Sequence, residues 1–265
     1  MLDIQNVYKT FNPGTVNEKR ALNGVSLTLN EGDFVTVIGS NGAGKSTTLN
    51  AIAGVWPIDS GRIIIDGQDV TGLAEHKRAR YLGRVFQDPM TGTAATMEIQ
   101  ENLALAKRRG DRRMVYRIGI TRQEKDEFRE LLSKLNLGLE DRMTTKVGLL
   151  SGGQRQALTL LMATLKKPRL LLLDEHTAAL DPKTAENVLE ATDRIIRQNN
   201  LTAFMVTHNM RDAIAHGNRL IMMNEGRIIF EVSGEEKKRL THADLMQKFA
   251  EVSGEELESD RMLLS

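Results

Sequence analysis

The chain has 265 residues, with 36 Lys+Arg against 35 Asp+Glu and a formal net charge of +1. That balance argues against a globally basic nucleic-acid binder, and aromatic residues at 4% argue against a surface of base-stacking platforms. Cysteine is absent, which excludes a disulfide framework, a Cys-ligated metal centre and a thiol nucleophile; no basic-then-apolar leader is evident; and the densest apolar run, Leu170–Leu173, is far short of the ~20 residues a spanning helix needs.

In chain order, Leu2–Val7 and Val25–Leu29 alternate apolar and polar residues, which predicts half-buried antiparallel strands. Phe34–Ile38 is near-continuously apolar and predicts a strand buried on both faces, with a helix starting by Thr47. Ile63–Ile65 before Asp66-Gly67 adds an antiparallel strand and a turn. Residues 98–148 read as a mostly helical, polar insert with Leu103, Leu105, Phe128, Leu131, Leu132 and Leu135 inward. The run Lys107–Arg113 within it is either a solvated helix end or a surface for anionic lipid headgroups. Helices follow at 152–167 and 182–199, the latter opened by Pro182; buried strands are expected at Leu170–Leu173, Ala203–Val206 and Leu220–Met223. Beyond Val232 a short amphipathic helix at 240–250 precedes a weakly patterned, disordered tail from 253. The expected fold is α/β, with a parallel core sheet, a smaller antiparallel sheet and a helical insert at about 88–150; residues 1–232 form the main domain and 233–265 a short C-terminal extension.

Three motifs carry chemistry. Gly39-Ser40-Asn41-Gly42-Ala43-Gly44-Lys45-Ser46-Thr47 sits between a strand and a helix, the setting of a phosphate-binding loop. Its amides and helix N-terminus face phosphate oxygens, Lys45 adds a point charge, and Ser46 is placed for Mg²⁺. Leu170–Leu173 delivers Asp174 to the metal's coordination sphere and Glu175 to the attacking water. Leu150-Ser151-Gly152-Gly153-Gln154-Arg155-Gln156 has the form of a capped helix start with amides open to an anion.

In this order the three motifs resemble the ATP-binding-cassette (ABC) ATPase family over roughly residues 1–232, with Leu150–Gln156 matching its signature sequence in full. The resemblance implies a P-loop ATPase core that binds ATP and Mg²⁺. It places Gln87 of Phe86-Gln-Asp-Pro89 near the metal and water, Asp181 of Ala179-Leu180-Asp181 at a subunit crossing, and His208 at the γ-phosphate. Phe11, with Tyr8 as competitor, stacks on adenine. Two positions depart from the family pattern: His176 stands where Pro is usual, and Ala178 where Ser is usual. His176 is expected either to alter the turn after Glu175 or to make turnover pH-sensitive.

The resemblance further implies a head-to-tail homodimer, or a pseudo-dimer with a paralogue, in which Ser151, Gly152, Gly153 and Gln154 of one subunit cap ATP on the other. One P-loop and one short insert exclude two-cassette translation factors and coiled-coil chromosome ATPases. The expected role is the ATPase of a membrane importer for a small, amino-acid-like solute, at the cytoplasmic face of the membrane. Its partners would be an integral membrane permease and an extracytoplasmic solute-binding protein, with no nucleic acid. The alternatives are a soluble ATPase of an assembly complex, such as an iron–sulfur scaffold, and the ATPase of an export or lipoprotein-release system.

Overall fold

The computed structural model describes residues 1–110 and 119–253. The chain opens with β1 (Leu2–Phe11), β2 (Lys19–Leu29), β3 (Phe34–Gly39) and α1 (Lys45–Ala53), followed by β4 (Ser60–Ile65), β5 (Gln68–Asp69), α2 (Glu75–Arg78) and β6 (Leu82–Val85). A helical region holds α3 (Ile99–Lys107), α4 (Arg122–Ser133) and α5 (Gly152–Thr164). The chain then returns through β7 (Leu170–Asp174), α6 (Pro182–Asn199), β8 (Thr202–Val206), α7 (Met210–Ala215), β9 (Arg219–Asn224) and β10 (Arg227–Ser233), and ends on α8 (Gly234–Arg239) and α9 (His242–Ser253).

Two sheets form. β2-β1-β4-β5 is antiparallel; β10-β9-β3-β8-β7-β6 is parallel except for its β10 edge. The apolar runs are continuous because both faces of the large sheet are covered. Leu170 and Leu172 face a core shared with the small sheet and α1, whereas Leu171 and Leu173 face a core under α5 and α6. β3 lies between β8 and β9 and is buried along its whole length, so the loop after Gly39 emerges at the middle of the sheet. There it meets the carboxyl ends of β7 and β8, where α/β sheets place ligands.

The helical region has its own core of Ile99, Leu103, Phe128, Leu132, Leu158 and Leu161. Leu105, expected inward, is 56% exposed: two residues beyond Leu103, it projects from the opposite side of α3. Between α4 and α5 the chain holds only a 3₁₀ turn at Val147–Leu149, and a bridge from Lys146 to Glu98 ties it to the segment before α3, where the Asn102 amide donates to the Ala94, Met97 and Glu98 carbonyls. α5 stops at Thr164 rather than 167, since Pro168 disfavours helix in the residue before it. Three strands, β5, β6 and β10, have no counterpart in the sequence pattern. Leu245 and Phe249 of α9 are buried with Ile38 and Met222, so the terminal helix packs on the large sheet. Among the described residues, no helix is long and apolar enough to cross a membrane.

The basic run lies partly outside the described residues, as does the tail from 254. Its described part is spent internally: Lys107 pairs with Glu127, Arg108 with Glu124, and Arg109 donates to the Ala163 and Lys166 carbonyls at the end of α5.

Candidate nucleotide site

Lys45 opens α1 and is 6% exposed; its Nζ donates to the Gly39 and Ser40 carbonyls at 2.7 and 3.0 Å, folding the ammonium back into its own loop. Gly44, at φ +102°, caps α1, and a Cβ there would stand 2.7 Å from the Ala21 carbonyl oxygen, so the turn requires glycine. Ser46 is exposed, Thr47 half-buried, and Thr48 donates to the Gly44 carbonyl at 2.9 Å. Lys19, on β2, brings its Nζ to 2.8 Å from the point where a side chain on Gly42 would start. This second cation at the loop is invisible in sequence, because only strand pairing places it there.

Asp174 ends β7 and Glu175 follows it. The Glu175 N–H still pairs with the Val206 carbonyl at 3.0 Å, yet its φ is +43°, so the chain leaves the sheet through a left-handed residue. For a non-glycine residue that costs about 1–2 kcal/mol. His208, two residues past β8, brings Nδ1 to 3.6 Å from Glu175 Oε2. The contact holds the Glu175 carboxyl below its usual range against the opposing effect of burial, and raises the His208 pKa. Lys45 is near enough to lower both. Asp174 shifts the other way: burial raises it, and the Arg84 guanidinium, with Nη2 at 3.3 Å from Oδ2, opposes the rise. Glu175 and His208 line one end of a cavity of about 630 Å³ between α6 and α7. Gln87 is exposed, two residues past the carboxyl end of β6, the strand beside β7.

His176 is 2% exposed. Its Nε2 lies 3.2 Å from Thr192 Oγ1, and that hydroxyl already donates to the Val188 carbonyl at 2.8 Å. Thr192 therefore accepts, and His176 carries its proton on Nε2. Burial, reinforced by His216, pushes the His176 pKa down to about 4. The ring is thus neutral at physiological pH, and the expected pH-sensitive turnover loses its titrating group there. What remains is the local role: His176 ties the turn after Glu175 to α6.

Ser151 caps α5: its Oγ accepts from the Gln154 N–H at 3.3 Å, and Gln154 Oε1 accepts from the Ser151 N–H at 3.2 Å. Ser151 and Gly152 are exposed, while Gly153 is buried against α6, where any Cβ would overlap Thr184 Cγ2. Ser151, Gly153 and Gln154 line a cavity of about 220 Å³ that contains none of the loop residues 39–47 and neither Glu175 nor His208. Asp181 caps α6 by accepting from the Thr184 N–H at 3.1 Å. Phe11, at the end of β1 and paired with Lys19, meets Trp56 edge-on with ring centroids 4.9 Å apart; Tyr8 lies within the strand, its hydroxyl beside Gly24. One chain therefore gathers Lys45, Asp174, Glu175 and His208, and leaves the Ser151–Gln154 helix start in a separate pocket.

The ABC transporter family model matches residues 22–178. The chain is 44% identical to a tyrosine transport ATP-binding protein of Clostridioides difficile, over 94% of this chain and 98% of the relative. It is 32% identical to the spermidine/putrescine import ATP-binding protein PotA of Haemophilus influenzae, over 89% of this chain and 59% of PotA's length. A solved dimeric, post-hydrolysis state of the ATP-binding cassette MJ0796 bound to ADP and Pi superposes with a TM-score of 0.73 at 29% identity, covering 88% of this chain and 98% of that one. The chain belongs to the ABC transporter family, as an ATP-binding cassette of the importer kind whose ATP hydrolysis powers transport.

Proposed function

We propose that the transported solute is an amino acid of the tyrosine class, and that the chain acts as a head-to-tail dimer on the cytoplasmic face of a membrane. There it docks on an integral membrane permease, with an extracytoplasmic solute-binding protein completing the importer. The observation that carries the solute class is the 44% identity to a tyrosine transport relative along nearly the whole of both chains. The separate pocket at Ser151 supports the dimer: a second copy is needed to bring that helix start to the triphosphate.

The residues fit ATP and Mg²⁺. The amides of Gly39–Thr47 and the N-terminus of α1 cradle the phosphates, and Lys45 exchanges the Gly39 and Ser40 carbonyls for phosphate oxygens. Ser46, Asp174 and Gln87 would hold Mg²⁺, which would supply charge neutralisation of the triphosphate. Glu175, kept ionised by His208, accepts the proton of the attacking water, and the exposed His208 edge reaches the γ-phosphate. Phe11, braced edge-on by Trp56, offers a ring face to adenine. Ser151, Gly152, Gly153 and Gln154 of the second copy close over the γ-phosphate, and Asp181 lies at the crossing between copies.

The test is reconstitution of the chain in proteoliposomes with a candidate permease and binding protein from the same organism. ATP-dependent accumulation of tyrosine, in preference to spermidine or methionine, is the expected result. Recovery of the chain only in soluble fractions with scaffold proteins, or ATP-driven efflux, overturns the importer assignment. Uptake of another solute class overturns the solute assignment alone.

A further inference from the structure

Arg84 is a cation on β6, an edge strand of the large sheet, and no motif accounts for it. It occupies the third position of β6, in register with Leu172 of β7, and its side chain is 14% exposed. Its Nη2 donates to Asp174 Oδ2 at 3.3 Å and to Asn50 Oδ1 at 2.8 Å, and the guanidinium lies 4.5 Å from the Phe86 ring centroid. Asn50 is on α1, one turn past Ser46, and donates back to the Ser46 carbonyl at 2.8 Å. Phe86 immediately precedes Gln87. One guanidinium thus touches the carboxylate at the end of β7, the helix that follows the phosphate loop, and the segment that carries Gln87. Arg84 Nε is buried without a hydrogen-bond partner, so the group is not in its most stable setting. A residue kept there at that cost is better explained by what it orients than by what it stabilises.

We propose that Arg84 is a positioning residue for the metal-binding carboxylate. It fixes Asp174 through Oδ2, turns Oδ1 toward the cation, and registers that carboxylate against both Ser46 and Gln87. The guanidinium suits this role because it lies against the Phe86 ring while one nitrogen, Nη2, donates to both Asn50 and Asp174. The inference rests on the reading of Asp174 as a Mg²⁺ ligand. Residues that orient a metal ligand typically change metal affinity 10- to 100-fold when lost, which sets the expected scale at roughly tenfold or more.

The experiment uses the full chain saturated with a non-hydrolysable ATP analogue and titrated with Mn²⁺, bound Mn²⁺ being read by electron paramagnetic resonance. Arg84→Met is expected to raise the apparent Mn²⁺ dissociation constant roughly tenfold or more, while affinity for the analogue in EDTA stays within about twofold of wild type. Asn50→Ala, which removes one anchor of the guanidinium from an accessible helix position, is expected to shift Mn²⁺ binding in the same direction by a few-fold. Asp174→Asn is the control for the parent reading: if it leaves Mn²⁺ binding unchanged, Asp174 is not the ligand and the parent reading fails. If Asp174→Asn abolishes binding while Arg84→Met leaves it at the wild-type value, the positioning role is overturned. Should Arg84→Met not fold, an unchanged Asn50→Ala overturns it equally.

Discussion

His176 supplies the sharpest test of the environment around the turn after Glu175. A histidine whose pKa falls from an ordinary 6.5 to about 4 on folding binds fewer protons in the native chain than in the unfolded one across that interval. Its contribution to stability is therefore complete above pH 6.5 and is lost as pH falls toward 4. The shift corresponds to about 3 kcal/mol in full, of which about 2 kcal/mol is lost by pH 5. The perturbation is His176→Gln, whose amide does not titrate and still donates to Thr192 Oγ1. Urea denaturation at pH 7, 6 and 5 gives the stability of each chain. The wild type should lose about 2 kcal/mol more than the variant between pH 7 and 5. Parallel pH profiles for the two chains would refute the burial of a neutral imidazole at this position.

Other changes probe the remaining links. Glu175→Gln should retain ATP binding and lose turnover by about 10²- to 10⁴-fold, with closed dimer accumulating on a sizing column; wild-type hydrolysis would remove Glu175 from the proton-accepting role. Gly153→Ala should destabilise the fold by about 1–3 kcal/mol, and adding Thr184→Ala should restore most of it, because the methyl group it overlaps is then gone while the Asp181 cap, made to a backbone N–H, persists; thermal melts of the single and double variants decide this. Phe249→Ala should cost about 3–5 kcal/mol by chemical denaturation, since Phe249 is 2% exposed in the core with Ile38; a cost under 1 kcal/mol would mean that α9 is not part of the folded unit. Gln156→Leu should leave stability within about 1 kcal/mol of wild type, as it removes one hydrogen bond and one buried unpaired oxygen together, yet lower the permease-stimulated part of ATP hydrolysis; unchanged stimulation would show that this bond carries no coupling.

The parallel sheet was legible because burial on both faces writes itself as unbroken apolar runs, and the phosphate loop because its glycines, lysine and flanking elements occur together. β6 was not: Gly83 and Arg84 interrupt its apolar character, and the Arg84 charge is accommodated only by Asp174, Asn50 and Phe86, which lie 90, 34 and 2 positions away. β10 is an antiparallel edge strand with half-buried Ile228, Ile229 and Phe230, so its pattern is weaker than that of the central strands. Lys19 and Trp56 are equally opaque, since a lone cation or aromatic acquires meaning only through the pairing that sets it beside Gly42 or Phe11. The resemblance places Asp181 at a subunit crossing; within one chain it is visible as the cap of α6. For His176, sequence offered a choice between turn geometry and titration, and only its burial against Thr192 separates them.

The contacts around β6 connect the two halves of the divided site. Gln156, on the helix that Ser151 caps, donates to the Phe86 carbonyl at 3.0 Å; the Phe86 ring lies under Arg84; and Arg84 holds Asp174. On the proposed reading, in which the N-terminus of α5 meets a second copy and Asp174 is a metal ligand, a displacement of α5 would pull on the backbone next to Gln87 and on that carboxylate. None of these links is a flexible surface pair. Gln156 is 1% exposed, and the side chains of Arg84 and Asp174 are 14% and 16% exposed, so the contacts are held in packed surroundings where movement of one group forces movement of the next. Gln87, Ser151 and Gly152 face solvent in a single chain, while Gln156, Arg84 and Asp174, which link the segments that carry them, are largely buried.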